Sequence, residues 1–143
     1  MSAQQAITHA RSMLGVRWRH LGRKPWAVDC LGLVDLSLRA AAYPRKTEWP
    51  ARYGREPWDN MLQSGLVAEF GSPVGGEWLP GDVALIRWQS GEPSHVGLVA
   101  DYVWGGLSII HASTLHGVIE TALSGDIRER VIETYRPRYP TNE

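Results

Sequence analysis

Apolar residues recur along this chain with two different periods, and the change falls past its middle. Early on they return at helical spacing. Ala6, Ile7, Ala10, Met13 and Leu14 form one stripe, with Ser2 placed to cap the helix and Gly15 to stop it. Leu33, Val34, Leu36 and Leu38, followed by Ala40 and Ala41, form a second stripe that ends before Pro44. Asp29 is its expected N-cap, because a carboxylate accepts hydrogen bonds from the free N–H groups of a first turn. A short helix is expected over residues 58–63, ending near Gly65, and a turn over 71–76. After Pro80-Gly81 the helical period gives way to short apolar runs bounded by turn residues. These predict strands over residues 82–88, 95–102, 107–113, 118–123 and 131–135. Turns fall at 89–94, Gly105-Gly106 and His116-Gly117. Helices followed by an antiparallel meander of about five strands predict an α+β domain, and the length fits one domain over residues 1–143.

Two connections stand out between these elements. Residues 16–28 read as an irregular basic loop with aromatic side chains, leading into the second helix. Residues 43–58 are rich in Pro, Trp and Tyr, a composition suited to packing on the domain or on a partner. The formal net charge is zero, which argues against nucleic acid as a partner. That balance hides an asymmetry. Arg and Lys crowd the chain before Glu56, whereas Arg87 is the only one from Glu56 to Ile127. Either the two parts attract each other across one fold, or a basic rim near Cys30 draws an anionic substrate. The start of the chain lacks the pattern of a secretory signal, and no apolar run is long enough for membrane insertion.

Chemistry enters with the single cysteine, which excludes an internal disulfide and a cysteine-rich metal cluster. Cys30 follows the cap, in the first helical turn, where the helix dipole favours thiolate over thiol. The plainer reading is a small buried hydrophobe. His95 opens one predicted strand and His111 lies near the end of the next. Antiparallel pairing makes the two imidazoles neighbours if they share a face. If the Cys30 helix packs on that face, thiol, imidazole and imidazole fall in line, which is the arrangement that cysteine hydrolysis needs. Two alternatives stay open: structural histidines, and a zinc site from Cys30, His95 and His111 without the usual short paired spacing. Asp35 and Ser37 read as helix-surface or packing residues.

Four segments, in order and at matching distances, resemble the NlpC/P60 family of papain-like cysteine peptidases. They are Asp29-Cys30-Leu31-Gly32-Leu33-Val34, Pro80-Gly81-Asp82-Val83, Ser94-His95-Val96-Gly97-Leu98-Val99 and Ile109-Ile110-His111-Ala112-Ser113. The resemblance covers the chain from about residue 3 to about residue 137. It implies Cys30 as nucleophile, His95 as base and His111 as the group that orients the base, with no cofactor and no metal. Four features are similar to the small cell-wall peptidases of tailed phages and gene transfer agents: 17–23, Tyr53-Gly54-Arg55, Ile110-His111-Ala112 with Gly117-Val118-Ile119-Glu120, and Tyr135-Arg136-Pro137. That likeness implies a peptidoglycan stem peptide as substrate, cut through a thioester, commonly between D-glutamate and the diamino acid. It implies phage tail-tip or hub proteins as partners. The implied location is a virion tail, assembled in the host cytoplasm and acting on the cell wall in the periplasm. Trp18, Arg19, Asp29 and Ser94 are the expected substrate-binding residues, with Arg17 and Arg23 joining Arg19 against stem carboxylates. Trp18 stands where many members carry tyrosine, and its indole N–H donates but does not accept. Two rival readings share the fold: a structural tail hub with a silent site, and an acyltransferase.

Overall fold

The computed structural model describes residues 2–50, 61–88 and 95–140. Helix α1 (Ser2–Ser12) buries Ala6, Ile7 and Ala10. It ends earlier than its apolar stripe. Met13 and Leu14 donate to the carbonyls of Ala10 and Arg11 at 3.1 and 3.2 Å, a tightened last turn that leaves Leu14 exposed. Gly15 then reverses the chain at φ +89°. Residues 16–28, expected as an irregular loop, instead build a small sheet. Its strands are β1 (Arg17–Trp18), β2 (Arg23–Lys24) and β3 (Ala27–Val28), in the order β1-β3-β2. Strands of two residues are too short to leave an alternating pattern in sequence.

Helix α2 (Cys30–Ala40) begins at its expected cap: the Asp29 carboxylate accepts from the Gly32 N–H at 2.8 Å. Helix α3 (Met61–Phe70) runs through Gly65, where a stop was expected, and the chain turns at Gly71 with φ +85°. One helical glycine costs about 1 kcal/mol, too little to end a helix whose Leu62 and Leu66 are packed in the core. The start expected near residue 58 lies outside the described residues. Between α2 and α3, residues 43–49 are gathered around Glu69. This carboxylate is 2% exposed and accepts from the Tyr43 hydroxyl (2.8 Å), the Lys46 N–H (2.7 Å), the Thr47 N–H (3.1 Å) and hydroxyl (2.6 Å), and the Trp49 indole (2.8 Å). Burial raises its affinity for a proton, but these donors outweigh burial and hold the carboxyl down at about 2.

The large sheet contains β4 (Val83–Ile86), β5 (His95–Asp101), β6 (Leu107–Ser113), β7 (Gly117–Ala122) and β8 (Val131–Tyr135). Its order is β7-β6-β5-β4-β8, all antiparallel. Four strands form the expected meander. The fifth departs from it, returning through a short unforeseen helix α4 (Gly125–Arg130) to pair with β4 on the far edge. The sheet has two apolar faces. Val83, Leu85, Val96, Leu98, Ala100, Ile110 and Ala112 pack on α1, α2 and α3, while Ala84, Ile86, Val99 and Ile109 join Trp78, Trp88, Leu123 and Ile127 on the other side. Among the described residues, no helix is long and apolar enough to cross a membrane.

The small sheet is pressed against the head of α2. A Cβ at Gly32 would lie 2.0 Å from the Gly22 carbonyl oxygen, a backbone atom that cannot swing away. Replacing Gly32 by Ala is expected to destabilise the fold by about 2 kcal/mol or more through overpacking. Gly65→Ala, on an exposed helical position with open space, is expected to stabilise it by roughly 0.5–1 kcal/mol. Urea unfolding of the two variants beside the parent checks both signs.

Candidate active site

Asp29 orders the ground on which Cys30 stands. One oxygen accepts from Gly32 N–H and from Arg23 Nη1 at 2.9 Å; the other accepts from Leu21 N–H at 3.0 Å. Leu21 is held at φ +63°, a left-handed conformation that is strained for a leucine. Asp29 was expected to touch substrate. Instead it is 3% exposed and its oxygens serve the chain itself, as cap and anchor. Arg23, expected to meet a stem carboxylate, is likewise engaged internally. Asp35, read as a helix-surface or packing residue, is buried among three arginines: Arg39 at 3.0 Å, with Arg23 and Arg45 at 3.7 Å.

The two histidines do meet. His95 Nε2 and His111 Nδ1 are 2.9 Å apart, with the rings nearly perpendicular. They do not share a face with α2, as the sequence reading required. Along β5, Val96, Leu98 and Ala100 point at the helices, so His95 falls with Val99 on the opposite side; on β6 His111 falls with Ile109. The thiol reaches this end of β5 another way. The β5–β6 ladder runs from Asp101↔Leu107 only to Leu98↔Ile110, so the strands part before His95 and His111. Cys30, the first residue of α2, has its sulfur at the backbone N–H of Val96, next in sequence to His95. The thiol thus meets the backbone of β5 beside His95 rather than lying across a common face from both rings.

A third aromatic completes the histidine wall. Trp88 has its ring 5.3 Å from that of His95 and 5.7 Å from that of His111. Arg130, at the end of α4, donates to the Trp88 carbonyl and lies 5.7 Å from the indole. Sequence reasoning took Trp88 only as the last residue of a strand. Its two-residue offset from Ile86, which pairs with His95, was the signal that put it on the histidine side.

Burial governs the proton affinities here. It pushes the Cys30 thiol up to about 12, helped by the Asp29 charge and opposed by the N–H groups of Val96 and Leu31 and by Arg23. The expected dipole-favoured thiolate is therefore overruled in the resting site, because desolvation of a charge outweighs a helix terminus. Burial also lowers both imidazoles well below their ordinary range, and His95 is lowered further by His111. The resting constellation is a thiol beside two neutral imidazoles. Among the described residues no group of three or more His, Cys, Asp or Glu side chains is placed to hold a metal ion.

The remaining expected residues scatter. Trp18 is partly buried against the helical core, its ring 6.4 Å from that of His20, while Arg17 and Arg19 are exposed. Ser94 and the Tyr53-Gly54-Arg55 segment lie outside the described residues. The charge asymmetry is met in part by internal pairing across the halves: Arg11 binds Glu120 at 2.9 Å and Asp101 at 3.5 Å. Arg17 and Arg19 are left for the other reading, a basic rim.

No family model and no curated protein matches this sequence. Solved structures do. NlpC2 from Trichomonas vaginalis superposes with a TM-score of 0.69 at 21% identity, over 95% of this chain and 47% of that one. The NlpC/p60 domain of the peptidoglycan hydrolase SagA gives 0.59 at 15% identity, over 93% and 97%. The chain has the NlpC/P60 fold. An N-acetylmuramoyl-L-alanine amidase from Bacteroides uniformis ATCC 8492 is also similar, with a TM-score of 0.61 at 13% identity over 96% and 99%. This chain spans about half the length of the Trichomonas chains it matches, 47% and 45%.

The lowered imidazoles make a stability prediction. Between their folded values and the ordinary 6.5, the unfolded chain binds more protons than the folded one. Stability is then complete above about pH 6.5 and falls as the pH drops below it. Glu69 contributes in the same direction but lower, as the pH falls from 4.5 towards about 2. Urea unfolding from pH 7.5 down to pH 5 is expected to show the loss, and His111→Asn to flatten it.

Proposed function

We propose that this NlpC/P60 domain hydrolyses peptide bonds of the peptidoglycan stem, with Cys30 as nucleophile. The observation that carries the reading is the 2.9 Å contact of His95 Nε2 with His111 Nδ1, with the Cys30 sulfur at the backbone N–H of the next residue, Val96. For His95 Nδ1 to take the thiol proton, Nε2 must carry the ring's own proton and donate it to His111. A neutral His111 accepts that bond, and it goes on accepting once His95 becomes imidazolium. Protonation of His111 would turn both nitrogens into donors and break the contact. The burial that keeps His111 neutral thus serves the reaction.

The steps follow. As substrate displaces water, Cys30 Sγ attacks the scissile carbonyl carbon while its proton passes to His95. The tetrahedral oxyanion is met by the unpaired backbone N–H of Cys30 at the helix start. Collapse expels the amine, which takes the proton from His95 and leaves a thioester. Water, deprotonated by the same imidazole, releases the acid and restores the thiol. The thiol's high resting proton affinity makes proton transfer part of the attack rather than a step before it.

The finer reading is a tail-associated phage enzyme that opens stem peptides for genome delivery, cutting between D-glutamate and the diamino acid. The motif resemblance supports it, and exposed Arg17 and Arg19 suit the stem carboxylates. Purified sacculi treated with the protein, followed by mass analysis of the fragments, test the chemistry and identify the bond. Cys30→Ala is expected to abolish release, and His95→Ala to lower it by about 100-fold or more. Fragments released equally by parent and Cys30→Ala would overturn the reading. No release by the parent, with virion assembly lost on deletion of the chain, would favour the structural hub.

A further inference from the structure

The resting site contains an electrostatic conflict. Asp29 is buried beside the sulfur on which negative charge develops as its proton leaves, and two adjacent negative charges in a dry site oppose each other. Yet Asp29 cannot be dispensed with, because it caps α2 and fixes the strained Leu21 turn. One cation reaches this carboxylate among the contacts above. Arg23 Nη1 is 2.9 Å from Asp29 Oδ1 and donates also to the Gly22 carbonyl, while Nη2 reaches the Pro50 carbonyl and Nε lies 3.7 Å from Asp35. Arg23 therefore ties β2, the α2 cap, the α2 body and residue 50 together.

We propose that Arg23 is a positioning residue for the nucleophile. It cancels the Asp29 charge felt at Cys30 and locks the cap in place, so that negative charge can develop on the sulfur beside a carboxylate. The fork of the guanidinium matters as well as the charge, since one arginine serves Asp29, Asp35 and two carbonyls at once. The direction of each charge's effect on the thiol agrees: Asp29 raises its proton affinity and Arg23 lowers it. The other titratable groups on the elements packed against α2 are His9 and Arg11 on α1, Lys24 on β2, His95 and Asp101 on β5 and His111 on β6, with Asp35 and Arg39 on α2 itself. His95 and His111 are neutral at rest, Arg11 pairs with Glu120 and Asp101, and Asp35 lies against Arg23, Arg39 and Arg45. Among the contacts above, the cation paired with Asp29 is Arg23.

The inference rests on Cys30 being the reactive thiol, but not on any bond being cut. Cys30 is the chain's one cysteine, so alkylation by iodoacetamide reads it alone. The rate is proportional to the thiolate fraction, and is measured from about pH 7 to pH 9 on folded full-length protein. Arg23→Met is expected to slow alkylation about tenfold at each pH, equivalent to about one unit in the thiol titration. Arg23→Lys should fall between Arg23→Met and the parent. Asp29→Asn, which keeps a capping oxygen without the charge, should speed alkylation roughly tenfold. The double variant should return towards the parent rate. A merely structural role predicts the opposite for Arg23→Met, since loosening the cap exposes the sulfur. An Arg23→Met rate equal to or above the parent's would overturn the proposal. Should Arg23→Met lose its cooperative unfolding transition, Asp29→Asn decides: a rate unchanged or slower refutes the charge balance, and a faster one supports it. Loss of sacculus digestion without any change in alkylation would count against the hydrolase reading rather than this one.

Discussion

The carboxylate of Asp29 is the contact on which the site depends. It accepts from the first turn of α2, from the strained Leu21 turn and from Arg23, three partners from different stretches of chain. Removing it would take away the links from the head of α2 to Leu21 and Arg23. Gly32 shows how closely the helix head and the small-sheet region are pressed, because a side chain there would run into the Gly22 carbonyl. Under the proposed mechanism rigidity at this spot matters, because a shift of the helix head would withdraw the thiol from His95.

The opposite wall is built on a different principle. His95 and His111, on neighbouring antiparallel strands, meet at 2.9 Å and are dried by burial and by the Trp88 ring. Dryness keeps both rings neutral, and in the proposed mechanism that neutrality lets one act as base and the other as acceptor. The same dryness raises the proton affinity of the thiol. The thiol and the two imidazoles are thus uncharged at rest, and in the proposed mechanism charge separates only when a substrate carbonyl and the helix-head N–H groups are present to receive it.

Much of this was legible in sequence, and the failures are instructive. The α2 cap could be read because a capping carboxylate directly before an apolar stripe is a local signal, independent of tertiary contacts. The strands after Pro80 could be read because their apolar runs are bounded by turn residues. Histidine proximity followed from antiparallel order alone. The face on which the histidines stand could not be read, because it depends on which face of the sheet the helices cover. The small sheet of 17–28 escaped because its strands are two residues long. Arg23 and Asp35 were misplaced for one reason: charged residues look solvated in sequence, and only the fold reveals that they neutralise each other.

Nitrogen-detected NMR of the two imidazoles tests the central claim most directly. The account predicts that from about pH 8 down to pH 5 both rings stay neutral, with the proton of His95 on Nε2 and Nδ1 of His111 as its acceptor. Either ring titrating near 6.5 like a free imidazole, or a His95 proton found on Nδ1, would contradict it.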